Sequence, residues 1–184
     1  NTYTLTYNYN GATGGNSTAT APFTSGGSAI TLPTPTKTGY TFAGWYAESN
    51  FTTLVSGSQS PTADATIYAK WTANTYTITY NYNGATGGNS TLSSSFTSGS
   101  TAVTLPTPTK TGYTFAGWYS ESIFTNLVSG PQSPTADATL YAKWTANTYT
   151  LTYNYNGATG GNGTSSATFT SGGSAITLPT PTKA

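Results

Sequence analysis

Nine charged side chains carry all the ionic chemistry available here: Lys37, Lys70, Lys110, Lys143 and Lys183 against Glu48, Asp64, Glu121 and Asp137. Glycoside hydrolysis needs two carboxylates facing each other across a cleft. The acids nearest in sequence, Glu48 with Asp64 and Glu121 with Asp137, fall in segments that read as solvated loops. The absence of His and Cys removes Ser-His-Asp triads, cysteine nucleophiles, thiolate zinc sites and disulfide staples together. A Ser-Lys dyad has no supporting motif, and calcium needs a cluster of oxygen ligands that two acids per segment scarcely supply. Gly11-Ala12-Thr13-Gly14-Gly15-Asn16 lacks the Lys and the following helix of a phosphate loop. It reads as a turn. No catalytic, cofactor-binding or metal-binding residue is assigned, and an enzyme is not expected.

Weaker candidates have plainer readings. Lys70 could form an isopeptide cross-link, but a Lys whose stem covers Trp71 explains it better. The row Thr2, Thr4, Thr6 resembles an ice-binding ladder and reads as the solvent face of a strand. Asn16, Asn50, Asn89 and Asn162 open formal glycosylation sequons. Exposed tyrosines could stack on sugars, with core packing favoured.

Five scattered lysines and no Arg cannot replace the counterions of a nucleic acid, so no such partner is expected. No apolar run approaches the roughly 18 residues of a membrane helix, so this stretch is not expected to insert. With no start Met or signal peptide, it is expected to be a processed or excised fragment. Richness in Thr, Ser, Asn and Gly with 5% charged residues points outside the cell.

What positions these residues is a repeat. The chain matches itself at a period of 73 without insertion, and its first two copies agree at 60 of 73 positions. Asn1, Asn74 and Asn147 open the copies, giving modules 1–73 and 74–146 and a partial third repeat, 147–184. With a first half 1–37 and a second half 38–73, the order is A-B-A-B-A, and either phase, A-B or B-A, is open.

Within a copy, Thr2–Asn10 alternates with period two, placing Tyr3, Leu5, Tyr7 and Tyr9 on one face. Asn10-Gly11 predicts a turn, 14–21 a loop, and Ala29–Leu32 a second short strand. Pro33–Lys37 must be extended. Gly39–Tyr46 is an aromatic strand in which Gly44 predicts a bulge that turns Trp45 onto the face of Tyr40 and Phe42. Residues 47–54 fit a helical turn or an irregular loop. Ala65–Trp71 closes the unit with Ile67, Ala69 and Trp71 inward. The predicted core is Tyr3, Leu5, Tyr7, Tyr40, Phe42, Trp45, Ile67 and Trp71, then Tyr76, Ile78, Tyr80, Tyr113, Phe115, Trp118, Leu140 and Trp144. Tyr149, Leu151, Tyr153 and Tyr155 form a predicted self-association edge on an unpaired strand. The fold class is mainly β with little helix, in a tandem array.

The block Gly39-Tyr-Thr-Phe-Ala-Gly-Trp-Tyr46 followed by Ala65-Thr-Ile-Tyr-Ala-Lys-Trp71 resembles the Listeria–Bacteroides repeat, the B-repeat of internalin-type surface proteins. The resemblance covers essentially the whole chain. It implies a β-grasp-like fold and a place in secreted or surface-anchored bacterial proteins, with no catalytic residue to carry over. The expected function is a semi-rigid stalk, adhesin shaft or filament subunit, with β-strand complementation as a route to polymers. The alternative is a carbohydrate- or receptor-binding module. Expected partners are neighbouring repeats or further copies of the chain, and a host receptor or glycan under the alternative.

Overall fold

The computed structural model describes every residue except Asn16, Ser17, Asn162 and Ala184. The sequons at Asn16 and Asn162 lie outside the described residues. Contacts divide the chain into two units, Asn1–Tyr76 with Ser95–Ala102 and Ser133–Ala136, and Thr77–Ser94 with Val103–Gln132 and Asp137–Ala184.

Five strands build the first sheet: β1 (Thr2–Asn8), β2 (Thr20–Thr24), β3 (Tyr40–Tyr46), β4 (Leu54–Val55) and β5 (Ala65–Ala73). Their order is β2-β1-β5-β3-β4. At the centre β1 and β5 run parallel, Leu5 facing Ala65 and Tyr7 facing Ile67, while the other pairs are antiparallel. The second copy repeats this as β6 (Thr75–Asn81), β7 (Ser93–Thr97), β8 (Tyr113–Tyr119), β9 (Leu127–Val128) and β10 (Ala138–Ala146), in the order β7-β6-β10-β8-β9. In the third, β11 (Thr148–Thr152) and β12 (Ser166–Thr170) form a two-stranded antiparallel sheet. No helix occurs among the described residues.

Alternation fixes one face of each sheet as core. Leu5, Tyr7, Trp45, Ile67 and Ala69 are buried together, with Ile30, Leu32, Phe42 and Trp71 against them. Ile78, Tyr80, Tyr82, Trp118, Leu140 and Ala142 form the matching cluster. The register of β3 on β5 slips between Phe42 and Gly44, where Gly44 has φ +126°, and Trp45 then packs edge-on to Phe42 at 5.7 Å. This is the bulge that the glycine predicts. The proline-rich arm closes the core face: Pro35 is fully buried, and Trp45 Nε1 donates to the Pro33 carbonyl at 2.8 Å. Proline suits this place because it brings no amide donor to satisfy. In the second copy Pro108 and the bond from Trp118 to Pro106 repeat the arrangement.

Three expectations are corrected. Residues 20–24, at the end of the expected loop, form strand β2. Ala29–Leu32 makes only a single bridge, Ile30 with Gln59, because the partner there is a loop. Residues 47–54 hold no helical turn; Phe51 takes φ +58°, outside the right-handed helical region, and the segment ends in β4.

Candidate functional site at the repeat junction

The chain passes from β5 to β6 through a single residue, Asn74. All four of its polar groups are bonded within the first unit. Its amide donates to the Gly39 carbonyl at 2.9 Å, and its carbonyl accepts from the Ser98 amide at 2.9 Å. Its Oδ1 accepts from Thr41 Oγ1 at 2.7 Å, and its Nδ2 donates to the Tyr76 hydroxyl at 3.2 Å. The Tyr40 hydroxyl reaches the Ser98 carbonyl at 3.3 Å. The turn after β7 is thereby tied to the start of β3. Gly39 is required here: its φ is +80°, and a Cβ would stand 2.5 Å from Ser98 Oγ.

The second unit repeats the arrangement. Asn147 donates to the Gly112 carbonyl and accepts from the Ser171 amide, both at 2.9 Å. Thr114 Oγ1 donates to Asn147 Oδ1 at 2.7 Å, Asn147 Nδ2 to the Tyr149 hydroxyl at 3.3 Å, and Tyr113 to the Ser171 carbonyl at 3.4 Å. Asn1 makes two of these four bonds within its own copy, accepting from the Ser25 amide and donating to the Tyr3 hydroxyl.

Several tyrosines assigned to the core belong to this arrangement. Tyr3, Tyr40, Tyr76 and Tyr113 are half-buried and stand outside both core clusters. Leu5, Tyr7, Trp45, Ile67, Ile78, Tyr80, Trp118 and Leu140 are buried, while Phe42, Trp71, Phe115 and Trp144 pack against them half-buried. Phe23 and Phe96, buried on β2 and β7, were not anticipated. Lys37 Nζ donates to the Asn10 carbonyl at 3.0 Å and lies 4.7 Å above the Tyr40 ring, bracing that tyrosine.

In the third repeat Tyr149 and Leu151 are exposed, at 49% and 43%, and Tyr153 and Tyr155 are half-buried. Leu5 and Ile78, at the position of Leu151 in the earlier copies, are 2% exposed. The strand is not unpaired, as its sequence suggests: β11 is bonded to β12 along one edge. Its other edge corresponds to the edge of β1 and β6 that holds β5 and β10.

The carboxylates serve the backbone. Asp64 Oδ1 accepts from the Thr4 amide at 2.7 Å, and Asp137 from the Thr77 amide at 2.8 Å. Glu48 accepts from Thr52 Oγ1 and the Thr53 amide. Glu121 accepts from the hydroxyls of Ser120 and Thr125 and from Asn126, which hold its carboxyl down at about 2. The two glutamates close their own turns, and the two aspartates tie the start of β5 and β10 to β1 and β6. Among the described residues no group of three or more His, Cys, Asp or Glu could hold a metal ion. Among the described residues no helix is long and apolar enough to cross a membrane.

The family model of the Listeria-Bacteroides repeat domain matches residues 3–70, 76–143 and 149–184. A putative Gly-rich membrane protein of Evansella cellulosilytica is 34% identical over 127 residues, 66% of this chain and 14% of the relative. Internalin H of Listeria monocytogenes is 35% identical over 119 residues, 61% of this chain and 20% of the relative. The chain therefore spans a fifth or less of the length of these relatives. No solved structure matches. With these three matches together spanning nearly the whole sequence, the chain belongs to the Listeria-Bacteroides repeat domain family.

Proposed function

We propose that this repeat region is a non-enzymatic, semi-rigid spacer: a stalk or adhesin shaft in a secreted or surface-anchored bacterial protein. The junction asparagine carries this reading. A flexible tether would leave the connecting residue solvated, whereas Asn74 and Asn147 each have four bonded polar groups. A string of such junctions resists bending at every step. The central parallel pair supports a β-grasp-like module in which the proline arm stands where a helix would cover the sheet. Membership in a family shared with an internalin supports the cell surface as its place.

Small-angle scattering tests the spacer. Residues 1–184 are expected to scatter as one conformer, and a variant with three glycines inserted after Asn74 as a broad ensemble. A wild-type chain that itself requires a broad ensemble sinks the reading. A second reading, filament growth by strand complementation, is tested by light scattering, and a strictly monomeric chain at high concentration removes it.

A further inference from the structure

A groove of about 420 Å³ crosses β10 of the second unit, and the spacer reading does not use it. Alternation along β10 creates it. Leu140 and Ala142 point into the core, so Tyr141 and Lys143 point out. Phe124 adds a half-exposed ring beside them, and the other end is lined by Trp144, which packs against the core, by Tyr113 and by Lys110, whose Nζ donates to the Asn83 carbonyl at 2.9 Å. Its size falls in the range of small-ligand clefts.

Three features define what would fit. First, Lys110 and Lys143 both line the groove, and no carboxylate does. The nearby acids are committed elsewhere, Glu121 to its own turn and Asp137 to the Thr77 amide. Second, among the described residues the Tyr141 hydroxyl and the Lys143 ammonium have no hydrogen-bond partner, although both residues are half-buried. Lys143 is held over the Tyr119 ring at 4.9 Å and the Phe124 ring at 5.7 Å, which orients the charge without neutralising it. Third, aromatic faces next to Asn81, Ser122 and a tyrosine hydroxyl suit a ligand with a C–H face and a hydroxyl rim.

We propose that this groove binds an acidic saccharide, with a pyranose ring against the Tyr141 and Phe124 rings and its carboxylate on Lys143. A charge-assisted bond from this ammonium would hold the carboxylate. Single-stranded nucleic acid also offers rings and anions, but two lysines and no Arg give a phosphate backbone too little to follow. The first copy has the same side chains at the corresponding positions, among them Asn8, Lys37, Phe51, Tyr68, Lys70 and Trp71. Lys70 lies 4.9 Å above Tyr46 and 5.7 Å from Phe51, as Lys143 does on its own rings. Two sites per chain follow.

Calorimetry on residues 1–184 tests this with tetrasaccharides of galacturonate, mannuronate and chondroitin type, a neutral galactose tetrasaccharide, and a dT8 oligonucleotide. At least one uronate probe is expected to bind at two sites, about tenfold more weakly when salt is raised from 50 to 300 mM. The neutral sugar should bind at least tenfold more weakly. The double variant K70A/K143A should lose at least tenfold in affinity and K70R/K143R should retain it, with unchanged melting temperatures showing that both fold. Failure of all three uronates to bind overturns the proposal. So does equal affinity for the neutral sugar, preference for dT8, or undiminished binding by K70A/K143A.

Discussion

Gly39→Ala isolates the junction, because a second glycine provides its control. Gly39 and Gly26 have nearly the same φ, +80° and +81°, so an alanine at either one bears the same left-handed strain, about 1–2 kcal/mol. They differ in surroundings. A Cβ at Gly26 meets nothing within 4 Å, whereas one at Gly39 would stand 2.5 Å from Ser98 Oγ and 3.1 Å from Ser98 Cβ. Rotating the hydroxyl relieves the first contact but not the second, so the Ser98 turn must shift. Such overpacking costs about 1–3 kcal/mol beyond the backbone strain. The cost falls on the bonds from Asn74 N to Gly39 and from Ser98 N to Asn74, both 2.9 Å. Native-state hydrogen exchange reads them directly. At about 1.4 kcal/mol per decade, the Asn74 and Ser98 amides should exchange about 5- to 140-fold faster in Gly39→Ala than in Gly26→Ala. The double variant G39A/S98G should recover most of that difference. Equal exchange in the two alanine variants, with no recovery on Ser98→Gly, refutes the claim that this contact holds the junction.

Three further outcomes are expected. Leu5→Ala should destabilise its unit by about 2–5 kcal/mol, and Leu151→Ala the chain by under about 0.5 kcal/mol, since the one is buried and the other 43% exposed; urea unfolding followed by tryptophan fluorescence compares them. The Glu121 turn should keep its bonds well below the ordinary carboxylate range. With its pKa lowered to about 2, its contribution is complete above the unfolded value near 4.5 and disappears as pH falls through 2; carboxyl-carbon NMR of wild type and of Ser120→Ala, whose pKa should rise, checks both value and cause. Trp118→Phe should cost about 3 kcal/mol or less, mainly by leaving the Pro106 carbonyl without its donor at 2.8 Å, and a melting curve unchanged from wild type would count against that bond.

Most of the sheet was legible because period two is a strict rule: Leu5, Tyr7 and Ile67 could face only one way if the strands existed. Gly44 was legible for a related reason, since without a bulge it would send Trp45 to the wrong face. Strand β2 was hidden by Pro22 and by the divergence of the copies at 19–22. As an edge strand, β2 tolerates a proline that a central strand would not. The junction was the least visible part. Tyr3 and Tyr40 have the type and phase of core residues, but periodicity gives the side of a strand and not how far along it the core extends. Asn74 carried one signal, the Asn that opens every copy, and nothing in its neighbours distinguishes a capped turn from an ordinary linker.

The order A-B-A-B-A leaves two framings of the repeat, and the register separates them by a testable step. Leu5–Asn8 of β1 lie parallel to Ala65–Tyr68 of β5. A parallel pair needs a crossover of about a dozen residues or more, and the chain from Asn8 to Ala65 supplies it. From β5 to β6 only Asn74 intervenes, so β6 cannot fold back to lie parallel to the strand it has just left. A fragment framed as A-B, residues 1–74, keeps β1 as the partner of β5 and should show a cooperative urea transition. A fragment framed as B-A, residues 38–110, retains as many aromatic strands but leaves that edge of β5 empty. Its Trp45 also loses Leu5, Tyr7 and the Pro33 carbonyl. It should show no cooperative transition and amide shifts near random coil. A folded 38–110 with a sharp transition would mean that β5 accepts a different neighbour.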